Sequence, residues 1–193
     1  MVETITPVVH GGRNRRYWTS IGLHVLGTTA SAALLGVLLG GLGALLGAPW
    51  GRAGLLALAL VSALYAAREL FRLPVPLPDL DRQVPDWWRT FFSPQIAALL
   101  YGFELGVGFV TYLSYGTFAA VTAAVFVAGD PMRGALLCGA FGFARGLSIA
   151  LVARPDPENM VERLGEFATG GKPRLVNGAL LLTVAVAAAL AST

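Results

Sequence analysis

Long uncharged stretches constrain the fold of this chain more than any other feature of its sequence. No Asp, Glu, Lys or Arg occurs between Thr19 and Gly47, and a helix needs about 20 apolar residues to cross the hydrocarbon core of a bilayer. Charged residues make up 13% of the chain and apolar residues 55%, whereas a soluble domain carries about 25% charged residues. The sequence therefore predicts an all-α protein, a polytopic transmembrane helical bundle.

The apolar segments define five predicted spans in one transmembrane domain, residues 18–193, which follows a cytoplasmic tail at residues 1–17. The spans are predicted at residues 18–47, 53–72, 95–128, 134–153 and 175–191. The first and third are longer than one straight crossing needs and are rich in glycine, so we expect long helices that are open to a break. A hairpin within 95–128 would raise the count to six spans.

The distribution of basic residues favours five spans over six. With a cytoplasmic N-terminus and five spans, Arg52 and Arg133 are the only basic residues of the loops and segment ends that fall on the outer side. Cytoplasmic loops are enriched in Lys and Arg, so we expect a multi-pass protein of the inner (cytoplasmic) membrane, with the lipid bilayer as its main partner. The basic residues are scattered and form no patch, which argues against a nucleic-acid partner.

Two ionisable residues lie within apolar segments. Glu104 and Arg145 each lie within a Gly-x-x-x-Gly frame, a spacing that lets helix backbones approach closely. An unpaired charge within the hydrocarbon core costs several kcal/mol. Both residues lie about 12 Å from the predicted inner boundary, so we expect them to form an ion pair. The pair would either clamp two helices or contribute to a path for a solute or proton.

Further polar residues complete a candidate polar site inside the membrane. His24 could relay protons, because its pKa is near neutrality, or form a hydrogen bond within the bundle. The hydroxyl-bearing members of the site are Thr28, Thr29, Ser31, Thr111, Ser114 and Tyr115. These hydroxyls could line a cavity or bond to their own helix backbone. The sequence contains no metal-ligand spacing, phosphate-binding loop or nucleophile–base set, so it predicts neither enzymatic activity nor a metal or cofactor.

A weak internal repeat indicates two related halves. Leu26 and Leu105 each precede a glycine and open a glycine-rich run. A turn containing Pro and Arg follows in each half, and an Ala-Arg pair comes later, at Arg68 and Arg145. Corresponding residues are about eighty positions apart, as expected for the repeats of membrane transporters.

The region 99–191 resembles the CcdA family, which is related to the membrane domain of DsbD. The motifs that carry the resemblance are a Gly-x-x-x-Leu-Gly-x-Gly opening (Gly102, Leu105, Gly106, Gly108), a Gly-x-x-x-Gly-Leu helix (Gly142, Gly146, Leu147) and a final helix that opens at Asn177. The resemblance implies two halves packed around a central site. That family carries electrons through a cysteine flanked by prolines in each half. The corresponding stretches here, 27–31 and 111–116, contain neither residue, so no thiol relay is implied.

Three functions are compatible with such a scaffold. The leading expectation, taken from transporter relatives of the resembled family, is movement of a small solute or ion through a cavity near Glu104 and Arg145. The alternative is a non-catalytic membrane subunit or assembly factor that docks a membrane or periplasmic protein through glycine-rich faces and the segment Trp87–Phe92. The third is a thiol-redox membrane protein that uses Cys138, the one cysteine of the chain, with a cysteine of a partner.

Overall fold

The structure, a computed structural model, describes residues 15–78, 87–109, 115–152 and 171–193. All regular secondary structure within these ranges is helical, which confirms the all-α prediction for this part of the chain. The helices are α1 (Arg15–Leu45), α2 (Gly51–Phe71), α3 (Trp88–Phe91), α4 (Pro94–Val107), α5 (Thr117–Ala128), α6 (Pro131–Val152) and α7 (Gly171–Ala191). Most of the predicted tail, residues 1–14, lies outside the described ranges.

Three of these helices, α1, α2 and α7, are long and apolar enough to cross a membrane, which associates the chain with a bilayer. Helix α1 has 31 residues and is therefore about 46 Å long. That length exceeds the hydrocarbon core of about 30 Å, so α1 must tilt or extend beyond the core. The glycines of the predicted first span do not break the helix.

The predicted third span, residues 95–128, is broken instead of continuous. Helix α4 ends at Val107 and α5 begins at Thr117. Gly108 follows α4 with a φ of 72°, a conformation that glycine adopts without steric cost, and a side chain there would collide with the ring of Phe118. The two helices have 14 and 12 residues, so each is about 20 Å long or slightly less, too short to cross the core alone.

Helix α1 packs against α6 with their backbones in direct contact. Gly36 faces Gly134, and a Cβ atom built on Gly40 would lie 2.5 Å from the carbonyl oxygen of Asp130. Nearer the other end, Gly142 faces Thr28. The residue numbers of α6 fall as those of α1 rise, so the two helices are antiparallel, and the small residues of both are needed for the approach.

Helix α4 packs against α1 in the same close manner but runs parallel to it. Gly102 contacts the backbone of His24, and Gly106 contacts Thr28 and Ser31. The glycine frames around Glu104 and Arg145 therefore both pack against α1.

Helices α2, α5 and α7 form the other side of the bundle. Helix α2 is antiparallel to α5, since Gly116 contacts Tyr65 and Gly54 contacts Val127. It is also antiparallel to α7, because Arg52, at the start of α2, donates a hydrogen bond of 2.6 Å to the carbonyl of the last residue, Thr193. Helix α5 joins the two sides, since it contacts α1 as well as α2.

These directions give the bundle two chemically different ends. One end contains the start of α1, the end of α2 and the starts of α4 and α7. The other end contains the α1–α2 turn, the α5–α6 turn and the last residue, with Trp50 packed edge-on against Phe126. The helices do not confirm the internal repeat, because α1 is continuous whereas α4 and α5, its counterpart in the second half, are separated by a break.

The contact between α1 and α6 predicts opposite effects at two neighbouring glycines. We expect Gly40→Ala to lower the free energy of unfolding by about 1–3 kcal/mol, because the added methyl group overlaps the Asp130 backbone. The control is Gly41→Ala, where no atom lies within 4 Å of the added methyl group. That change should be neutral or stabilising by up to about 1 kcal/mol. Unfolding in detergent micelles measures both, and equal effects would contradict the described packing.

Candidate functional site

His24 lies at the interface between α1 and α4 and is 1% exposed. Its Nδ1 atom is 3.3 Å from the carbonyl oxygen of Ala98. Because a carbonyl oxygen only accepts hydrogen bonds, Nδ1 carries the proton and donates it. Its Nε2 atom has no hydrogen-bond partner within the described ranges. The hydrogen bond across two helices favours the structural interpretation of His24 over a proton relay.

The hydroxyl groups of α1 bond to the helix that carries them. Thr28 Oγ1 donates to the carbonyl of Val25 at 2.9 Å, Thr29 Oγ1 donates to the same carbonyl at 2.7 Å, and Ser31 Oγ donates to that of Gly27 at 2.9 Å. Thr28 and Ser31 are also buried. They therefore fill the closest contacts between helices.

Glu104 and Arg145 are both half-buried, on α4 and α6 respectively. Among the described residues, ion pairs join Arg68 to Glu69, Arg174 to Glu69 and Arg133 to Asp130. Each of these side chains has an interaction partner in the protein, and the pairing of Glu104 with Arg145 stays a prediction. Both glycine frames pack against α1, and both meet it at Thr28.

The remaining predicted site residues lie near the break between α4 and α5. Thr111 and Ser114 lie outside the described residues. Tyr115 is half-buried and lines a cleft beside α7 together with Lys172 and Asn177. Cys138 is fully buried, in contact with Ala32 and Val125. No thiol of a partner reaches such a position without opening the bundle.

The strongest polar cluster of the described structure was not predicted, and it centres on Glu69. The Glu69 side chain is 1% exposed, and its carboxylate accepts two hydrogen bonds and forms an ion pair with Arg174. Its Oε1 atom is 2.5 Å from Arg68 Nη1 and 3.2 Å from the backbone nitrogen of Gly116. Its Oε2 atom is 3.3 Å from Arg174 Nε. The carboxylate thereby connects α2, the start of α5 and the start of α7.

The same arginines also stabilise the end of α2. Arg174 donates to the carbonyls of Arg68 and Glu69 at 3.0 Å each, and Arg68 Nε donates to the carbonyl of Val75 at 2.8 Å. A cation is favourable at the C-terminus of a helix, and an anion at an N-terminus. Arg174 lies at the end of α2 and the Glu69 carboxylate at the start of α5, so both charges oppose the helix dipole next to them.

Sequence reasoning missed this cluster because each member alone resembles an ordinary residue at a membrane boundary. An arginine near the end of a membrane-crossing helix commonly extends towards the lipid headgroups, whereas Arg68 bonds to Glu69 and Val75. The available signal was an acidic residue, Glu69, next to a basic one at the end of an apolar helix. Its partner Arg174 is 105 positions away, and only the packing of α7 on α2 places the two together.

The Glu69 cluster predicts a large loss of stability on removal of one charge. Glu69→Gln should lower the free energy of unfolding by about 3 kcal/mol, because it leaves two partly buried arginines without their counter-ion. Arg133→Gln removes one member of an exposed ion pair and should cost less than about 1 kcal/mol. Unfolding in detergent provides the comparison. Similar losses for the two variants would show that the cluster contributes little.

Comparison with known proteins identifies clear relatives. The chain is 33% identical to the methylamine utilization protein MauF of Paracoccus denitrificans, over 83% of this chain and 59% of the relative. It is 30% identical to MauF of Paracoccus versutus, over 98% of this chain and 70% of the relative. MauF of Methylorubrum extorquens is 33% identical over 88% of this chain and 62% of the relative. The chain thus spans roughly three fifths to two thirds of these longer proteins.

These relatives correct two expectations from the sequence. The resemblance to the CcdA family is wrong, since the relatives carry a different name and no family model matches the chain. No solved structure matches it either. Movement of a small solute or ion, which was inferred from that resemblance, is overturned with it, because the relatives are named for methylamine utilization.

The similarity extends along almost the whole chain and is not confined to one glycine-rich segment. At 30% identity it covers 98% of this sequence and 70% of the Paracoccus versutus protein. It therefore includes the Glu69 cluster, the α1 interfaces and the broken third segment together. On this basis the chain belongs to the MauF family of methylamine utilization proteins.

Proposed function

We propose that this protein is a non-catalytic membrane subunit or assembly factor that serves methylamine utilization by docking a partner protein. The observation that carries the proposal is its membership of a family named for methylamine utilization. The described charges support a scaffold, because Glu69, Arg68 and Arg174 satisfy one another and the ends of helices. A scaffold of this kind offers its partner protein a rigid binding surface.

We propose that the bundle crosses the cytoplasmic membrane five times, with its N-terminus inside. The alternating directions of α1, α2, α4 with α5, α6 and α7 support this arrangement, with the broken α4–α5 segment as a single crossing. The end of the bundle that contains Arg68, Lys172 and Arg174 carries more basic residues than the end with Arg52 and Arg133, as expected for the cytoplasmic side.

The docking surface is proposed to be the aromatic segment Trp87–Phe92. The side chains of Trp87 and Phe91 are 53% and 78% exposed, and the ring of Trp87 contacts those of Trp88 and Phe91. Trp88 in turn packs against Tyr101 of α4, which fixes the segment to the bundle. By contrast, the glycines through which α1, α4 and α6 contact one another, such as Gly36, Gly102 and Gly142, are covered within the bundle.

The docking proposal predicts a defect that is specific to methylamine. In a strain that lacks the gene, the variant Trp87→Ala with Phe91→Ala should fail to restore growth on methylamine. Loss of exposed aromatic anchors commonly costs about 2 kcal/mol or more each in binding. Phe143→Ala, which removes an exposed aromatic ring from α6, should restore growth fully. Protein abundance is measured in every strain, and growth of the double variant at normal abundance would refute the docking segment.

The five-crossing arrangement predicts which loops can be labelled from each side. In a Cys138→Ala background, Gln83→Cys and Thr169→Cys should react with a membrane-impermeant thiol reagent only after the membrane is opened. Arg133→Cys should react in intact spheroplasts. Labelling of Gln83→Cys and Thr169→Cys from opposite sides would contradict five crossings, whatever the outcome of the growth experiment.

A further inference from the structure

A cleft runs along the bundle between α5 and α7. Its wider part, about 430 Å³ in volume, is lined by Tyr115, Lys172, Pro173, Val176, Asn177 and Leu180. A narrower part of about 160 Å³ is lined by Thr117, Ala120, Val121, Ala124, Leu137, Leu180, Leu181 and Val184. The two parts are adjacent, since Leu180 lines both, and the wider part lies at the start of α7.

The two parts of the cleft differ in chemistry. The wider part contains the exposed ammonium group of Lys172 at its rim and the amide of Asn177. Asn177 Oδ1 accepts a hydrogen bond from the hydroxyl of Thr117, whereas its buried Nδ2 donor has no hydrogen-bond partner within the described ranges. The neighbouring cluster adds two arginines against one glutamate. This end therefore offers donors and positive charge, to which an anion is complementary.

The narrower part is lined almost entirely by apolar side chains. From Lys172 to Val184 α7 rises about 18 Å, close to the thickness of one leaflet of the hydrocarbon core, about 15 Å. The cleft thus has a cationic end at the boundary of a membrane-crossing helix and an apolar groove as long as one leaflet. A partner helix would need to bury the Lys172 charge, whereas a lipid brings both the counter-charge and the apolar chain.

We propose that this cleft binds one anionic phospholipid. Its phosphate contacts the ammonium group of Lys172, and one acyl chain lies along Val176, Leu180 and Leu137. Because the lipid joins α7 to α5, which make few direct contacts, its binding should also stabilise the bundle.

The headgroup contact is tested on the full chain, purified in detergent. Retention of phosphatidylglycerol and of phosphatidylcholine is measured by native mass spectrometry, and thermal unfolding is followed with each lipid. We expect phosphatidylglycerol to bind more tightly and to raise the melting temperature more. Lys172→Gln should weaken phosphatidylglycerol binding about fivefold, because one basic residue near an anionic surface contributes about 1 kcal/mol. The same change should leave the affinity for phosphatidylcholine unaltered. Arg133→Gln, at the opposite end, should change neither. Equal affinity for the two lipids, or no effect of Lys172→Gln, would overturn the proposal.

The acyl groove is tested separately, which distinguishes a lipid from a free phosphate ester. Leu180→Trp fills the cleft and should lower retention of both lipids, whereas Leu190→Trp, at an exposed position of α7 outside the cleft, should not. If Leu180→Trp unfolds, Leu180→Ala widens the groove and should change retention without loss of the folded state. Soluble glycerol 3-phosphate should not displace phosphatidylglycerol. The lipid proposal would be overturned, in favour of a site for free phosphate esters, if glycerol 3-phosphate displaced phosphatidylglycerol. It would also be overturned if neither Leu180 variant changed lipid retention.

Discussion

Direct contact between helix backbones is the interaction on which the rest of this structure depends. Apolar side chains gain little from association inside a bilayer, because lipid tails are equally apolar, so helices associate through close van der Waals packing and polar bonds. Helix α1 provides such packing along most of its length. Its small residues meet those of α6 at Gly36 and Gly134 and those of α4 at Gly106. A continuous α1 thereby fixes the positions of two other helices.

Ion pairs and hydrogen bonds hold α2, α5 and α7 together, whereas close contact between small residues holds α1, α4 and α6 together. Glu69 alone would be costly in an apolar setting, but two arginines and the N–H of Gly116 surround it. These contacts also require the break between α4 and α5, since the N–H of Gly116 is available only because α5 begins there. Gly108 and Gly116, at the two edges of this break, are packed against Phe118 and Tyr65, as expected for non-helical backbone in a membrane protein. Helix α5 also packs against α1, so its position links the Glu69 cluster to the helices around α1.

The same packing explains why the glycine motifs misled the family assignment. A Gly-x-x-x-Gly pattern records that a helix approaches another backbone closely, which is a requirement of many unrelated membrane bundles. It contains no information about the chemistry at the centre of the bundle. In this protein the two frames around Glu104 and Arg145 both serve α1. The similarity to MauF proteins is of another kind, because it extends over 98% of the chain.

The sequence by itself determined the class of protein and the places where helices stop. Uncharged stretches long enough to cross a bilayer predict helices, because a backbone in lipid must satisfy its own hydrogen bonds. Pro49 and Pro131 mark the turns that follow α1 and precede α6. Only the tertiary structure decided the polar partners. Glu69 and Arg174 come from helices far apart in the chain, and their contact depends on how those helices rotate about their axes. That rotation is set by contacts between small residues on three helices at once, which no single segment of sequence contains.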